Sequence, residues 1–258
     1  MFTKVNPEKD TKIIVHTMGK VGSSSIAKSL AAYYSQSCIY HIHNLSPERL
    51  EKQIKKYQQT KNKLVNHLET SQYLLKNIED RRNWKFITLT RDPVARNISA
   101  FFQNISSFIP GILEQDPKEI DICEIREIFF ERYIHDLAIN WIEQEIINFL
   151  GVDLESFVFP KMQGYAILRK PIYLIIIRLE DLNFCYKNAF LEFLGIDNFR
   201  LKLSNDSQSK KYRELYEKFY NGLDVPKDYI ERMHGSWYAR YFYTVDELRR
   251  LSEKYSSR

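Results

Sequence analysis

The sequence predicts an α/β fold, with a central, mainly parallel sheet layered between helices and a helix-rich C-terminal part, and three stretches predict it. Residues 12–30, "KIIVHTMGKVGSSSIAKSL", read as a short buried strand, a tight polar turn and the start of a helix. Residues 83–105, "NWKFITLTRDPVARNISAFFQNI", repeat that order, and 171–182, "PIYLIIIRLEDL", give an apolar run of strand length leading into another helix. Apolar runs of this length between helical periodicities mark buried parallel strands joined by helical crossovers. No internal repeat, low-complexity tract or linker is visible, which predicts a single domain over 1–258.

In the first stretch, Ile13, Ile14 and Val15 form the strand, while Ile26, Ala27, Leu30, Ala31 and Tyr34 recur at helical spacing. Between them, Gly19 and Gly22 allow close backbone approach to a ligand. Ser23, Ser24 and Ser25 bring hydroxyls and first-turn backbone N–H groups to a helix N-terminus, where the dipole favours an anion. Lys20 adds a positive charge, so the loop reads as a phosphate cradle. In the nucleoside-triphosphatase pattern the lysine directly follows the second glycine. Here Lys20 precedes Gly22 by two residues, inside the loop.

Residues 38–42 read as a second strand, and Pro47 after Ser46 opens a helix. His41 and His43 close that strand on the carboxyl side of the sheet, the side on which α/β proteins bind ligands, and being two apart they point the same way. They are candidate proton acceptors, whereas His16, at the end of the first strand, is expected to be buried. Residues 48–82 read as one or two solvated helices without chemistry.

The next strand covers 84–90. Asp92 is its helix N-cap, Pro93 takes the first helical position, and Val94, Ile98, Phe101 and Phe102 form the buried face. Arg91 is left at the strand end and Ser99 two turns along the helix, a guanidinium and a hydroxyl suited to a phosphate. Residues 106–121 are expected to loop near the site. Residues 122–150 read as one long helix or two, with Ile125, Phe129, Ile134, Leu137, Ala138 and Trp141 inward; 151–165 are irregular, and 171–182 form a central strand. Asp181 is expected to cap the following helix, or with Glu180 to reach a ligand. Tyr212, Leu215, Tyr216, Phe219 and Tyr220 define another helix, preceded by Asn205, Lys210 and Lys211, within possible reach of a cofactor or on the surface. A last helix has Val245, Leu248, Leu251 and Tyr255 inward.

The balance of 38 basic against 33 acidic residues, +5 overall, suits an anionic ligand and is too diffuse to indicate nucleic acid. Cys38, Cys123 and Cys185 are far apart and lack metal spacing, so reduced thiols are expected, with no zinc site and no disulfide framework. The longest apolar run is strand-sized and the start is polar, which predicts no integral membrane segment and a cytoplasmic location.

Two motifs carry a resemblance. "MGKVGSSSI" resembles the loop with which sulfotransferases bind the 5′-phosphosulfate end of 3′-phosphoadenosine-5′-phosphosulfate (PAPS), and "RDPVARNISAFFQN" resembles their 3′-phosphate element. The order of these with "YHIHNLS", "GVD", "IRLEDLN", "KKY-ELY-KF" and "SWYARYFYTVDEL" is similar to a bacterial, sulfotransferase-like family of capsular polysaccharide synthesis proteins. The resemblance implies a three-layer, P-loop-like fold, PAPS as cofactor with adenosine 3′,5′-bisphosphate as product, no required metal, and a carbohydrate or other hydroxyl-bearing acceptor. It further implies that Gly19, Lys20, Gly22, Ser23, Ser24, Ser25, Arg91 and Ser99 bind the cofactor, with Arg96 as a helper, and that Lys20 and His43, or failing it His41, are catalytic. One departure is Arg240-Tyr241, where the family pattern has a histidine before the Phe-Tyr pair. A phosphoryl-transfer enzyme using ATP and Mg²⁺, and a catalytically silent scaffold of polysaccharide assembly, stay open as alternatives.

Overall fold

Five strands, β1 (Lys12–His16), β2 (Ile39–Ile42), β3 (Trp84–Thr90), β4 (Tyr165–Leu168) and β5 (Tyr173–Arg178), form one sheet in the order β2-β1-β3-β5-β4. All pairs are parallel except β4 with β5. The interior strands are apolar on both faces, Ile13, Ile14, Val15, Phe86, Ile87, Leu89 and Leu174 to Ile177 being buried, whereas the edge strand β2 is largely half-exposed. This is the pattern of a sheet covered on both sides. The computed structural model describes residues 11–60, 64–203 and 212–256. They divide into two compact units, 11–60 and 64–91 with 141–203, which holds the sheet, and 92–140 with 212–256.

In the first unit α1 (Ser23–Leu30) connects β1 to β2, and α2 (Pro47–Thr60) with α3 (Asn66–Lys76) connects β2 to β3. The first crossover moves one way along the sheet and the second moves back past β1. Right-handed connection therefore puts α1 on one face and α2–α3 on the other. The reversal makes the carboxyl ends of β1 and β3 a topological switch point, the place where such sheets bind ligands.

The chain then builds the second unit with α4 (Pro93–Gln103), α5 (Ile105–Phe108) and α6 (Ile122–Arg132), and α7 (Leu137–Ile142) leads back. Asp92 caps α4 as the sequence predicts, its carboxylate accepting from Ala95 N at 3.0 Å, with Pro93 in the first turn. The first unit resumes with Trp141, a π-helical stretch at Glu143–Phe149, β4, β5 and α8 (Leu182–Leu194). The second is completed by α9 (Arg213–Asn221), α10 (Lys227–His234), α11 (Trp237–Phe242) and α12 (Val245–Ser256). Its core gathers Val94, Ile98, Phe101 and Phe102 of α4 against Ile125 and Phe129 of α6 and Leu215 and Phe219 of α9.

Several expectations need correction. Residues 106–121 are not wholly loop, since α5 extends to Phe108 and Ile112–Glu114 form a 3₁₀ turn. Ile134 is 74% exposed because it falls in the break between α6 and α7, where the buried residue is His135, and Val245 is 84% exposed because it starts α12 ahead of its packed turns. The strand at 173–178 has β4 outside it, so it lies second from the edge. Asp181 makes no cap: its carboxylate pairs with Arg178. Asn205, Lys210 and Lys211 lie outside the described residues.

Candidate active site

The loop after β1 is bent by two left-handed residues. Gly22 has φ 81°, and a Cβ there would come within 2.6 Å of Leu179 Cδ1, so both conformation and space require glycine. Lys20 has φ 74°, a strained conformation for a lysine and one that recurs where function demands it. Such turns gather successive N–H groups on a concave side. They lead into α1, whose N-cap Gly22 offers no side chain and whose first turn has no acidic residue. The helix dipole is left unneutralised next to Lys20.

Arg91, at the end of β3, donates from Nη1 to the Lys20 carbonyl oxygen at 3.0 Å. Below this contact Thr88 Oγ1 donates to the His16 carbonyl at 2.8 Å, fixing β3 on β1. Thr17 and Thr90, at the ends of these two strands, are fully buried, and neither hydroxyl has a hydrogen-bond partner among the described residues. An unpaired buried hydroxyl costs stability. On the rim itself, the first-turn N–H groups of α1 that lack a side-chain cap, a lysine and an arginine suit a phosphate-bearing group.

The expected histidine pair is on the same rim. His41 Nε2 lies 2.9 Å from Ser23 Oγ, which ties β2 to the loop, and the His41 and His43 rings meet edge to face at 5.0 Å. His43 Nδ1 lies 2.8 Å from the Thr17 carbonyl oxygen. A carbonyl only accepts, so Nδ1 carries the proton and Nε2 keeps its lone pair. Burial, then the neighbouring His41, pushes the His43 pKa down to about 3; burial and then His67 push His41 down to about 4. Both are neutral near pH 7. His67 of α3, in a stretch where the sequence shows no chemistry, stands 5.4 Å from the His43 ring, with its own pKa lowered by burial.

His16 is buried as expected, and its partner is Glu145, with His16 Nε2 3.1 Å from Glu145 Oε2 in a close contact not aligned as a hydrogen bond. Burial disfavours the Glu145 charge, but His16 and the Leu45 and Ser46 N–H groups outweigh it and hold its pKa down to about 2. Neither His67 nor Glu145 stands out by motif. The one available signal for Glu145 is its place four residues after Trp141 and three after Ile142, on the face that helical spacing in "WIEQEIINFL" marks as apolar.

In the second unit, Ser99 is partly buried on α4. Arg96 is buried, with Nη1 donating to Asn97 Oδ1 at 3.1 Å and Tyr133 Oη at 3.0 Å. Asp92 is buried between His234 Nε2, at 2.9 Å, and Tyr255 Oη, at 2.5 Å. A cavity of about 620 Å³ in the first unit, lined by Phe157, Arg169 and Lys170 among others, lies by the β4–β5 turn at the amino end of β5, away from the carboxyl rim.

Among the described residues no helix is long and apolar enough to cross a membrane, and no group of three or more His, Cys, Asp or Glu is placed to hold a metal ion. No curated protein and no solved structure matches the chain. A family model does, over residues 4–136, just over half of the chain, and its description is the sulfotransferase family. The loop of Lys20, the histidine rim and Arg91 all fall inside that match, and the chain belongs to the sulfotransferase family.

Proposed function

We propose that the chain transfers a sulfuryl group from PAPS to a hydroxyl of a carbohydrate or polysaccharide acceptor, as a cytoplasmic enzyme of capsular polysaccharide synthesis. The observation that carries this reading is the strained Lys20 loop, braced by Arg91 and opening onto uncapped N–H groups beside a histidine with a bare Nε2. The cofactor, when bound, supplies an activated sulfuryl group attached to its 5′-phosphate.

The chain's own residues then have distinct tasks. The N–H groups and hydroxyls from Gly22 to Ser25 hold the 5′-phosphate, with Gly19 giving the loop its clearance. Lys20 balances charge that builds there. Arg91 and Ser99 hold the 3′-phosphate, an assignment that rests on the motif. His43 Nε2 would take the proton that the acceptor hydroxyl loses when the sulfuryl group passes to its oxygen and adenosine 3′,5′-bisphosphate leaves with the former bridging oxygen; His41 is engaged by Ser23 and positions the loop. A pKa of about 3 makes free His43 a weak base, but an anion in the loop raises it toward its ordinary range. Positioning and charge balance then supply most of the rate, as in phosphoryl transfer, without a required metal. Residues 1–258 then act as one functional domain, a reading supported by a family match that takes in parts of both units.

The test is release of adenosine 3′,5′-bisphosphate from PAPS in the presence of hydroxylated glycans. Acceptor-dependent release supports the reading. Phosphoryl transfer from ATP with Mg²⁺, or no turnover of either donor, replaces it with the kinase or the silent scaffold.

A further inference from the structure

The segment after β2 is held by a part of the chain about a hundred residues away. Trp141 Nε1 donates to the His43 carbonyl oxygen at 2.8 Å, and its ring packs edge-on against His16 with centroids 4.9 Å apart. One turn on, Glu145 accepts from Leu45 N at 2.8 Å and Ser46 N at 2.9 Å on Oε2, and from Ser46 Oγ at 2.8 Å on Oε1. Arg49 Nε stands 3.1 Å from Oε1, and the same nitrogen lies 3.1 Å from Asn44 Oδ1. Every residue from His43 to Ser46 is therefore tied, directly or through Arg49, to the stretch that carries Trp141 and Glu145.

The chemistry of this clamp exceeds what packing needs. A fully buried carboxylate is costly, and a well-packed apolar side chain is often no less stable. What the carboxylate adds is register, because its two oxygens collect donors that fix one conformation of the loop. It also sits in a π-helical stretch, Glu143–Phe149, a geometry frequent at functional sites.

We infer that Glu145, together with Trp141, is a positioning residue: it locks residues 43–46 so that the His43 ring keeps its bond to the Thr17 carbonyl and presents Nε2 to the acceptor hydroxyl. This rests on His43 being the proton acceptor. The groups that surround His43 are His41 on β2, His67 on α3, His16 on β1, and Arg49 and Glu145 beside its loop.

The experiment compares wild type with Glu145→Gln and the milder Trp141→Phe, which removes one donor and keeps an aromatic ring. Glutamine offers one acceptor oxygen and an NH₂ group where the carboxylate met donors on both sides, so part of the set is left unpaired. Two readouts are taken on folded protein: the NMR titration of the histidine rings, and kcat with the affinity for adenosine 3′,5′-bisphosphate. The expected result is a His43 ring that protonates at higher pH in both variants. With it, kcat falls about 10- to 100-fold while the bisphosphate affinity stays within about twofold. A folded variant whose His43 titration and kcat match wild type overturns the inference. If wild-type protein transfers no sulfuryl group, the proposed function fails, and the histidine titration still decides whether Glu145 and Trp141 set the His43 ring.

Discussion

Arg91 Nη1 sits 3.0 Å from the carbonyl oxygen of Lys20, so the residue that follows β3 braces the left-handed residue of the β1 loop. A guanidinium in this place has two tasks, one to the loop and one to a ligand, and substitution can separate them. A charge-assisted contact is worth about 1.5–3 kcal/mol, so Arg91→Ala should weaken adenosine 3′,5′-bisphosphate binding roughly 10- to 150-fold. Binding of 5′-AMP, which lacks the 3′-phosphate, should weaken much less. Equal losses for the two ligands would show that Arg91 serves the loop alone.

Lys20 should trade stability against activity. Its backbone costs about 1–2 kcal/mol for a non-glycine residue, and glycine relieves that while adding freedom to the unfolded chain. Lys20→Gly should therefore leave the urea midpoint unchanged or slightly higher. Turnover should fall about 10²-fold or more in both Lys20→Gly and Lys20→Ala. An active Lys20→Ala enzyme would remove the lysine from the mechanism.

The histidines make stability depend on pH. Burial lowers the folded pKa of His41 to about 4, His43 to about 3 and His135 to about 4, all below an unfolded value near 6.5. The unfolded chain then binds more protons, so this stability is complete above pH 6.5 and is lost as pH falls toward 4, by up to about 1.4 kcal/mol per pH unit for each histidine. Glu145, held at about 2, and Asp92, also lowered, add a further loss below pH 4. Denaturation series from pH 8 to pH 4 should show the slope, and His43→Gln should reduce it. A flat profile between pH 7 and 5 would mean that these rings are not held neutral.

Asp92 should matter for folding more than for chemistry. It caps α4 while bonded to His234 and Tyr255, and breaking a buried pair by removing one charge costs about 3–5 kcal/mol. Asp92→Asn should lower the unfolding free energy by that order in urea titration. A loss below about 1 kcal/mol would show that the pair is dispensable.

Local chemistry made the β1 loop and the start of α4 legible in the sequence. Gly22, Lys20 and the serines are neighbours in the chain, and Asp92-Pro93 is a complete cap signal within two residues. The Glu145 clamp was not legible, because its donors, Leu45, Ser46 and Arg49, are distant in sequence and no spacing rule joins them. Strand β4 was missed for a related reason: four residues at a sheet edge carry little periodicity, and only pairing with β5 defines them. Ile134 and Val245 show the limit of helical spacing, which places a face and leaves the ends of the helix open.

The most direct measurement is calorimetric titration of the wild-type chain with adenosine 3′,5′-bisphosphate and with ATP, each with and without Mg²⁺. The Lys20 loop and Arg91 predict that the bisphosphate binds without metal and more tightly than ATP. Binding of ATP only with Mg²⁺, or of neither nucleotide, would contradict the assignment of PAPS to this site.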